Sequence, residues 1–157
     1  MKIYLAGPDV FRPDALEWTE ASRKLLDAHE HQALIPLDNT ETSAGGIFAA
    51  NMALIDSADA VLANLNPFRG HEPDSGTCFE IGCAIAKGKI VVGYLDDARP
   101  QLEKLSDAYQ LSARGTTVDP DGLTIENFGL PVNLMLGVSC RIVQGGLSEA
   151  LLLLAAK

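Results

Sequence analysis

The residues best suited to chemistry lie in one short stretch around Glu80. This carboxylate sits among small and apolar residues, just after a glycine turn that opens a predicted helix, Gly76–Lys87. Helical spacing places Gly76 and Ala84 on the same face as Glu80, so open space is expected above the carboxylate. Glu80 is therefore a candidate nucleophile, and Asp74, at the turn, is a candidate proton-transfer group or substrate clamp.

A structural explanation accounts for the same residues. Thr77-x-x-Glu80 matches a capping box, in which Thr77 caps the helix and Glu80 reaches back to a backbone N–H. Asp74 or Ser75 equally suits the N-cap position. This stretch alone does not separate a nucleophile from a cap.

The elements that must position Glu80 alternate between strands and helices. Predicted strands cover Lys2–Ala6, Ala33–Leu37, Ala60–Ala63, Ile90–Leu95 and Val138–Val143. Predicted helices cover Pro13–Ala28, Ile47–Ser57, Gly76–Lys87 and Leu147–Ala155, with a loop around Gly45-Gly46 and a short helix or turn beginning at Asn133–Leu136. Irregular structure is expected over Asp96–Pro131, apart from a short helix near Leu102–Gln110.

This alternation, with nearly continuous apolar strands, predicts a parallel sheet covered by helices on both faces. The fold class is therefore α/β, with one doubly wound, flavodoxin-like or Rossmann-like domain over residues 1–157. Ligands of such sheets bind beyond the carboxyl ends of the strands. The polar and Gly/Pro clusters at those ends predict one mouth containing Gly7, Asp9, Phe11, Asp38, Asn39, Asn66, Phe68, Asp74 and Glu80. That convergence favours the nucleophile over the cap.

Composition limits the partners. The net charge of −9 and pI near 4.6 argue against nucleic acid and against an anionic membrane surface, both of which need clustered Lys and Arg. A neutral small molecule suits this balance better. The N-terminus shows no signal peptide pattern, and the longest apolar run, Ala150–Ala156, is too short to span a bilayer, so a cytoplasmic location is expected.

No recognisable cofactor or metal motif is present in the sequence. There is no Walker A sequence and no Gly-x-Gly-x-x-Gly after the first strand, which argues against an NTP or dinucleotide cofactor. The three cysteines and three histidines show no zinc-site spacing, and no Ser-His-Asp triad can be assembled from them. Neither a zinc site nor a nucleotide cofactor is expected from these patterns.

Six blocks of sequence resemble the nucleoside 2-deoxyribosyltransferase family. They occur in the family's order and cover nearly the whole chain: Tyr4–Phe11, Pro36–Asn39, Asp56–Val61, Asn64–Asp74, Gly76–Gly82 and Gly129–Met135. Each block is weak alone, whereas the set is specific. The Pro-Phe-Arg-Gly segment that begins at Pro67 is similar to the protozoan and bacterial branch.

The resemblance implies a five-stranded parallel sheet and exchange of the base on a 2′-deoxyribonucleoside through a covalent intermediate. It places Glu80 at the nucleophile, Asp74 at a carboxylate that assists the base or sugar, and Tyr4 at a tyrosine that positions the nucleophile. Asn133 and Met135 fall on residues that a neighbouring subunit contributes, which implies a homo-oligomer with shared sites. The substrates implied are 2′-deoxyribonucleosides and free nucleobases, with no cofactor.

Two positions depart from the family pattern. Asn51 stands where a second family carboxylate aligns, so that proton role does not transfer, although the residue is still expected in the substrate pocket together with Gly76. Thr40 stands in place of a base-reading glutamine, which leaves base preference open.

Two alternatives to the transferase are kept. The first is a hydrolase of deoxynucleoside 5′-monophosphates, which has a similar nucleophile motif but must hold a phosphate beside Asp9. The second is a non-catalytic nucleotide-binding module in which Glu80 serves only as a cap.

Overall fold

A computed structural model describes residues 1–111 and 117–156. The described residues form five strands, β1 (Lys2–Ala6), β2 (Gln32–Leu34), β3 (Ala60–Asn64), β4 (Ile90–Leu95) and β5 (Arg141–Gln144). They also form six α-helices, α1 (Ala15–Ala28), α2 (Ala44–Ser57), α3 (Ser75–Ala86), α4 (Gln101–Tyr109), α5 (Leu134–Ser139) and α6 (Leu147–Ala155). Short 3₁₀ turns follow β1 at Pro8–Phe11 and β2 at Pro36–Asp38.

The strands form one all-parallel sheet in the order β2-β1-β3-β4-β5. All five residues of β3 are buried, as the continuous apolar strand pattern requires of a sheet covered on both faces. One core contains Ile55 of α2, Ile81 of α3 and Leu136 of α5. The other contains Leu26 of α1 and Leu151 of α6. The predicted doubly wound α/β fold is confirmed.

Two predicted strands differ from the structure. The second was expected over Ala33–Leu37, but β2 ends at Leu34, because Pro36 has no N–H to donate and starts a 3₁₀ turn. The fifth was expected over Val138–Val143, but that stretch begins inside α5 and β5 starts at Arg141.

The helices are closer to expectation, and only α1 and α2 start two or more residues from their predicted positions. Helix α2 begins at Ala44 and includes the Gly45-Gly46 pair expected in a loop, because the Ser43 hydroxyl accepts a hydrogen bond from the Gly46 N–H and caps the helix. Helix α1 begins at Ala15, two residues after its predicted start at Pro13. Part of the expected irregular stretch, residues 112–116, lies outside the described residues. Within the described ranges, no helix combines the length and apolar character needed to cross a membrane.

Candidate active site

A pocket of about 480 Å³ opens at the carboxyl ends of β1 and β3. After β1 the chain continues to the edge strand β2, whereas after β3 it continues to β4 on the other side of the sheet. The two loops diverge at this switch point, and the crevice between them is where ligands of such sheets bind. The pocket is lined by Gly7, Val10, Phe11, Pro36, Leu37, Asn39, Glu41, Ile47, Asn51, Asp74, Gly76, Thr77 and Glu80.

Glu80 faces this pocket from the second turn of α3. Its Oε1 accepts a hydrogen bond from the Tyr4 hydroxyl at 2.6 Å and one from Asn51 Nδ2 at 3.3 Å. No hydrogen bond from the described residues reaches its other oxygen, Oε2. The carboxylate is thus held at one oxygen, while no donor among the described residues competes for the second.

The surroundings of Glu80 disfavour its charge. Burial raises the pKa of the Glu80 carboxyl above its ordinary value, and the neighbouring Asp74 raises it further. The hydrogen bonds from Tyr4 and Asn51 act in the opposite direction, since they stabilise the carboxylate. The pKa of the fully buried Tyr4 is strongly raised, first by burial and then by Glu80, so its hydroxyl remains a donor.

The start of α3 shows that Thr77 and Glu80 do not form a capping box. Asp74 is the N-cap, and its Oδ2 accepts hydrogen bonds from the Thr77 backbone N–H at 2.9 Å and from the Thr77 hydroxyl at 3.0 Å. Thr77 therefore lies inside the helix, and the Glu80 side chain turns to Tyr4 rather than to the backbone. Asp74 has a structural role through Oδ2, while its Oδ1 receives no hydrogen bond from the described residues.

Seven residues expected at the site line the pocket: Gly7, Phe11, Asn39, Asn51, Asp74, Gly76 and Glu80. Tyr4 lies beneath it as the support of Glu80. At Gly7 a side chain would collide with its surroundings, because a Cβ atom would lie 2.8 Å from both Asn64 Cβ and Asp9 Oδ2. Glycine is therefore required where the loop after β1 approaches β3.

Two aspartates expected in the pocket wall lie elsewhere. Asp9 is buried below the loop, where its Oδ2 accepts a hydrogen bond from Asn64 Nδ2 at 2.9 Å. Burial raises the pKa of Asp9, while Asn64 and Arg12 act against that rise. Asp38 turns outward and pairs with Arg23 at 2.7 Å. Both carboxylates hold the loops that shape the pocket and do not line it.

Phe68 lies beside the pocket, where it supports Phe11. The two rings stack with centroids 5.3 Å apart and an interplanar angle of 17°. The Arg69 guanidinium carbon lies 4.6 Å from the Phe68 centroid and 5.3 Å from that of Phe11. This cation–π contact joins the loop after β3 to the loop after β1 and fixes the ring that lines the pocket.

Asn133 and Met135 do not reach this pocket within one chain. They line a second groove of about 480 Å³, between α3 and α5, with Cys78, Ile81, Ile85 and Leu136 among their neighbours. Asn133 is the N-cap of α5: its Oδ1 accepts from the Met135 N–H at 3.0 Å, and its Nδ2 donates to Glu126 at 2.8 Å. The Asn133 side chain therefore has a structural role in its own chain, independent of any role in the site of a neighbouring subunit.

Sequence interpretation did not find several pocket residues, including Val10, Leu37, Glu41 and Ile47. Helical spacing gives one usable signal, because Ile47 precedes Asn51 by four residues and so shares its face of α2. Glu41 carries no such signal. Among the described residues, no group of three His, Cys, Asp or Glu side chains is placed to hold a metal ion.

The family model for nucleoside 2-deoxyribosyltransferase matches residues 3–135. The chain belongs to the nucleoside 2-deoxyribosyltransferase family. It is an enzyme of this kind, in agreement with a crevice at the switch point that presents a supported glutamate.

Related proteins place the chain within the family. A 2-deoxyribosyltransferase from Leishmania mexicana is 38% identical, with a TM-score of 0.82 over 97% of this chain and 95% of that one. An uncharacterized protein of Schizosaccharomyces pombe is 30% identical over 85% of this chain and 74% of its own length. A CMP N-glycosidase from Clostridium botulinum, 17% identical with a TM-score of 0.53 over 99% of this chain and 98% of its own, shares the fold.

Proposed function

We propose that the protein exchanges the base of 2′-deoxyribonucleosides through a covalent deoxyribosyl-Glu80 intermediate. Family membership and the likeness to the Leishmania 2-deoxyribosyltransferase support this activity. The observation that carries it is the arrangement of Glu80, which lines the pocket and whose Oε1 is held by Tyr4 and Asn51, while no described residue donates to Oε2.

The proposed reaction has two displacements at C1′ of the sugar. In the first, Glu80 Oε2 forms a bond to C1′ as the C1′–N bond breaks, and the electron pair leaves with the base, which takes up a proton from a water molecule. In the second, a nitrogen of the incoming base attacks C1′, the bond from C1′ to Glu80 breaks with its electron pair returning to the carboxylate, and the proton lost by the base returns to the hydroxide left by that water. The carboxylate also stabilises the oxocarbenium-like transition states, so neither a metal nor an organic cofactor is needed.

Asp74 and Asn51 complete the sugar end of the site in this proposal. Asp74 Oδ1 receives no hydrogen bond from a described residue, so it accepts one from a substrate hydroxyl or ring N–H. Asn51 holds Oε1 of Glu80 and supplies no acidic proton, because its side chain is an amide. Gly76 adds no side chain above the reacting carbon.

We place this reaction in nucleoside salvage in the cytoplasm. Both substrates and both products are nucleosides or free bases. All three cysteines are unpaired in the structure, which suits a reducing compartment.

One incubation tests the function against its alternatives. The protein is mixed with 2′-deoxyinosine, with and without free adenine, and the products are separated by chromatography. Formation of 2′-deoxyadenosine supports the transferase. Free deoxyribose as the main product in both mixtures indicates a hydrolase, and no turnover with binding alone indicates a binding module.

We expect free nucleosides to be used in preference to their 5′-monophosphates. The pocket is lined by three carboxylates, Glu41, Asp74 and Glu80, and by no Lys or Arg among the described residues. Like charges placed together in a binding site cost several kcal/mol. We expect kcat/KM for 2′-deoxyinosine 5′-monophosphate to be at least about a hundredfold below that for 2′-deoxyinosine. Equal or better use of the monophosphate would favour the hydrolase.

We further propose a homo-oligomer in which subunits share their sites. Met135 is 71% exposed and lies outside the pocket of its own chain. Helices α2 and α3 also expose Phe48 and Phe79, whose ring centroids are 6.0 Å apart. The segment Ala44–Leu54 carries no charge, so two chains of net charge −9 can meet there with little repulsion.

Mixed oligomers test the shared site. Asn133→Ser keeps an N-cap for α5 but removes the amide, whereas Asn133→Ala removes both. Because the serine variant also loses the hydrogen bond from Nδ2 to Glu126, thermal unfolding must first show that its fold is retained. Glu80→Gln and Asn133→Ser subunits, each inactive alone, should recover activity when mixed, because some hybrid sites regain both original residues. For randomly assembled dimers the recovery would be about a quarter of the wild-type rate. Verified hybrids without recovery would show that each subunit builds its own pocket.

A further inference from the structure

The pocket has two chemically different ends. Asp74, Thr77 and Glu80 come from the segment after β3, whereas Pro36, Leu37, Asn39 and Glu41 come from the segment after β2. These strands lie on opposite sides of β1. The β3 side is polar and includes the carboxylate assigned to C1′. The β2 side has an apolar wall, Phe11, Pro36, Leu37 and Ile47, which suits the flat face of a nucleobase.

Two polar side chains, Asn39 and Glu41, lie at this apolar end. The amide of Asn39 is occupied within its own loop: Nδ2 donates to the Pro36 carbonyl, and Oδ1 accepts from the Glu41 N–H at 2.9 Å. This Asx turn fixes the backbone of Glu41 at the pocket. The Glu41 carboxylate itself has no hydrogen bond or ion pair with any described residue.

A glycine leaves the space that this carboxylate occupies. A Cβ atom at Gly46, in the first turn of α2, would overlap Glu41 Oε2. A Cβ at the adjacent Gly45 would meet nothing within 4 Å. The two glycines therefore form a matched pair, of which only Gly46 accommodates Glu41.

We propose that Glu41 determines base specificity by selecting purines that carry an amino group on the ring edge far from the glycosidic bond. A carboxylate only accepts hydrogen bonds, so it pairs with amino and ring N–H groups and is repelled by ring carbonyl and unprotonated ring nitrogen atoms. A base lying against the apolar wall, with its sugar at Glu80, directs its far edge toward the segment that carries Glu41. This inference rests on the proposed nucleoside substrate.

The test compares kcat/KM for 2′-deoxyadenosine and 2′-deoxyguanosine with that for purine 2′-deoxyriboside, which has the same ring system without an amino group. The better of the two amino-substituted nucleosides should exceed the unsubstituted one by at least about tenfold in the wild type. Glu41→Gln, which replaces the carboxylate by a neutral amide of the same shape, should lower that ratio by at least about fivefold.

The glycine pair supplies the control. Gly46→Ala should lower the ratio as well, because it displaces the carboxylate without changing the charge of the protein, whereas Gly45→Ala should leave it unchanged. The Gly46 methyl group would also approach Ser43 Oγ at 2.9 Å, but loss of a helix cap alone would not alter a ratio between two nucleosides.

The outcomes separate this inference from the proposed function. A ratio near one in the wild type, a ratio unchanged in an active Glu41→Gln variant, or equal changes in the two glycine variants would overturn the role of Glu41 alone. If the wild-type protein releases no base from any of the three nucleosides, both the inference and the proposed function are wrong.

Discussion

Glu80→Gln is expected to lower base exchange by at least about a thousandfold without lowering the melting temperature. The variant keeps an oxygen that can accept from Tyr4 and Asn51, but an amide is too weak a nucleophile to attack C1′. Exchange is measured by chromatography of 2′-deoxyinosine with adenine, and stability by thermal unfolding.

The expected gain or retention of stability follows from the pKa of Glu80. Burial raises that pKa in the folded state, so the folded protein disfavours the carboxylate relative to the unfolded chain. As pH rises above the unfolded value and through the folded one, ionisation of Glu80 therefore reduces stability. A neutral amide removes this cost at neutral pH, so Glu80→Gln is expected to be at least as stable as the wild type. A residue whose ionisation reduces stability in this way is retained for its chemistry.

Two further observations make the result decisive. Glu17→Gln, at an exposed position in the first turn of α1, should leave exchange at the wild-type level. Mass spectrometry of acid-quenched wild-type protein should reveal a deoxyribosyl adduct on the peptide that contains Glu80. Near wild-type exchange by Glu80→Gln would remove Glu80 from the mechanism.

The sequence was sufficient to predict the sheet and the helix that carries Glu80. Continuous apolar strands and the turn signals between them depend on local composition, which sequence records directly. The predicted end of β2 was wrong because Pro36 has no N–H to donate to the sheet and starts a turn. The predicted start of β5 was wrong because the apolar residues after the expected short helix suit either a helix or a strand, and α5 continues to Ser139.

The direction of loop side chains was harder to predict than the elements. Asp38 and Asn39 are neighbours after the same strand, yet Asp38 turns out to Arg23 while Asn39 turns in and orders the loop that presents Glu41. The 3₁₀ turn over Pro36–Asp38 sets the directions of these two side chains, and the geometry of the turn depends on tertiary contacts rather than on residue types. The same limit applies to Asn133 and Met135, because residues that act in a neighbouring subunit cannot be placed by the contacts of one chain.

Tyr4→Phe is expected to shift the acid limb of the kcat/KM profile to higher pH. Glu80 must be ionised to attack, so activity falls as pH decreases through its pKa in the free enzyme. The Tyr4 hydroxyl donates to Glu80 at 2.6 Å and lowers that pKa against the effect of burial. Its removal raises the pKa, and the loss of activity relative to wild type should therefore be greatest at low pH and shrink as pH rises.

Tyr94→Phe provides the matched control, since Tyr94 is also a buried tyrosine, on β4 rather than β1, and among the described residues its hydroxyl makes no hydrogen bond to Glu80. Removal of its hydroxyl should leave the acid limb in place. A purely structural role for Tyr4 would reduce activity by the same factor at every pH. An acid limb that stays fixed, or moves to lower pH, in Tyr4→Phe would show that this hydrogen bond does not hold the reacting carboxylate in its charged form.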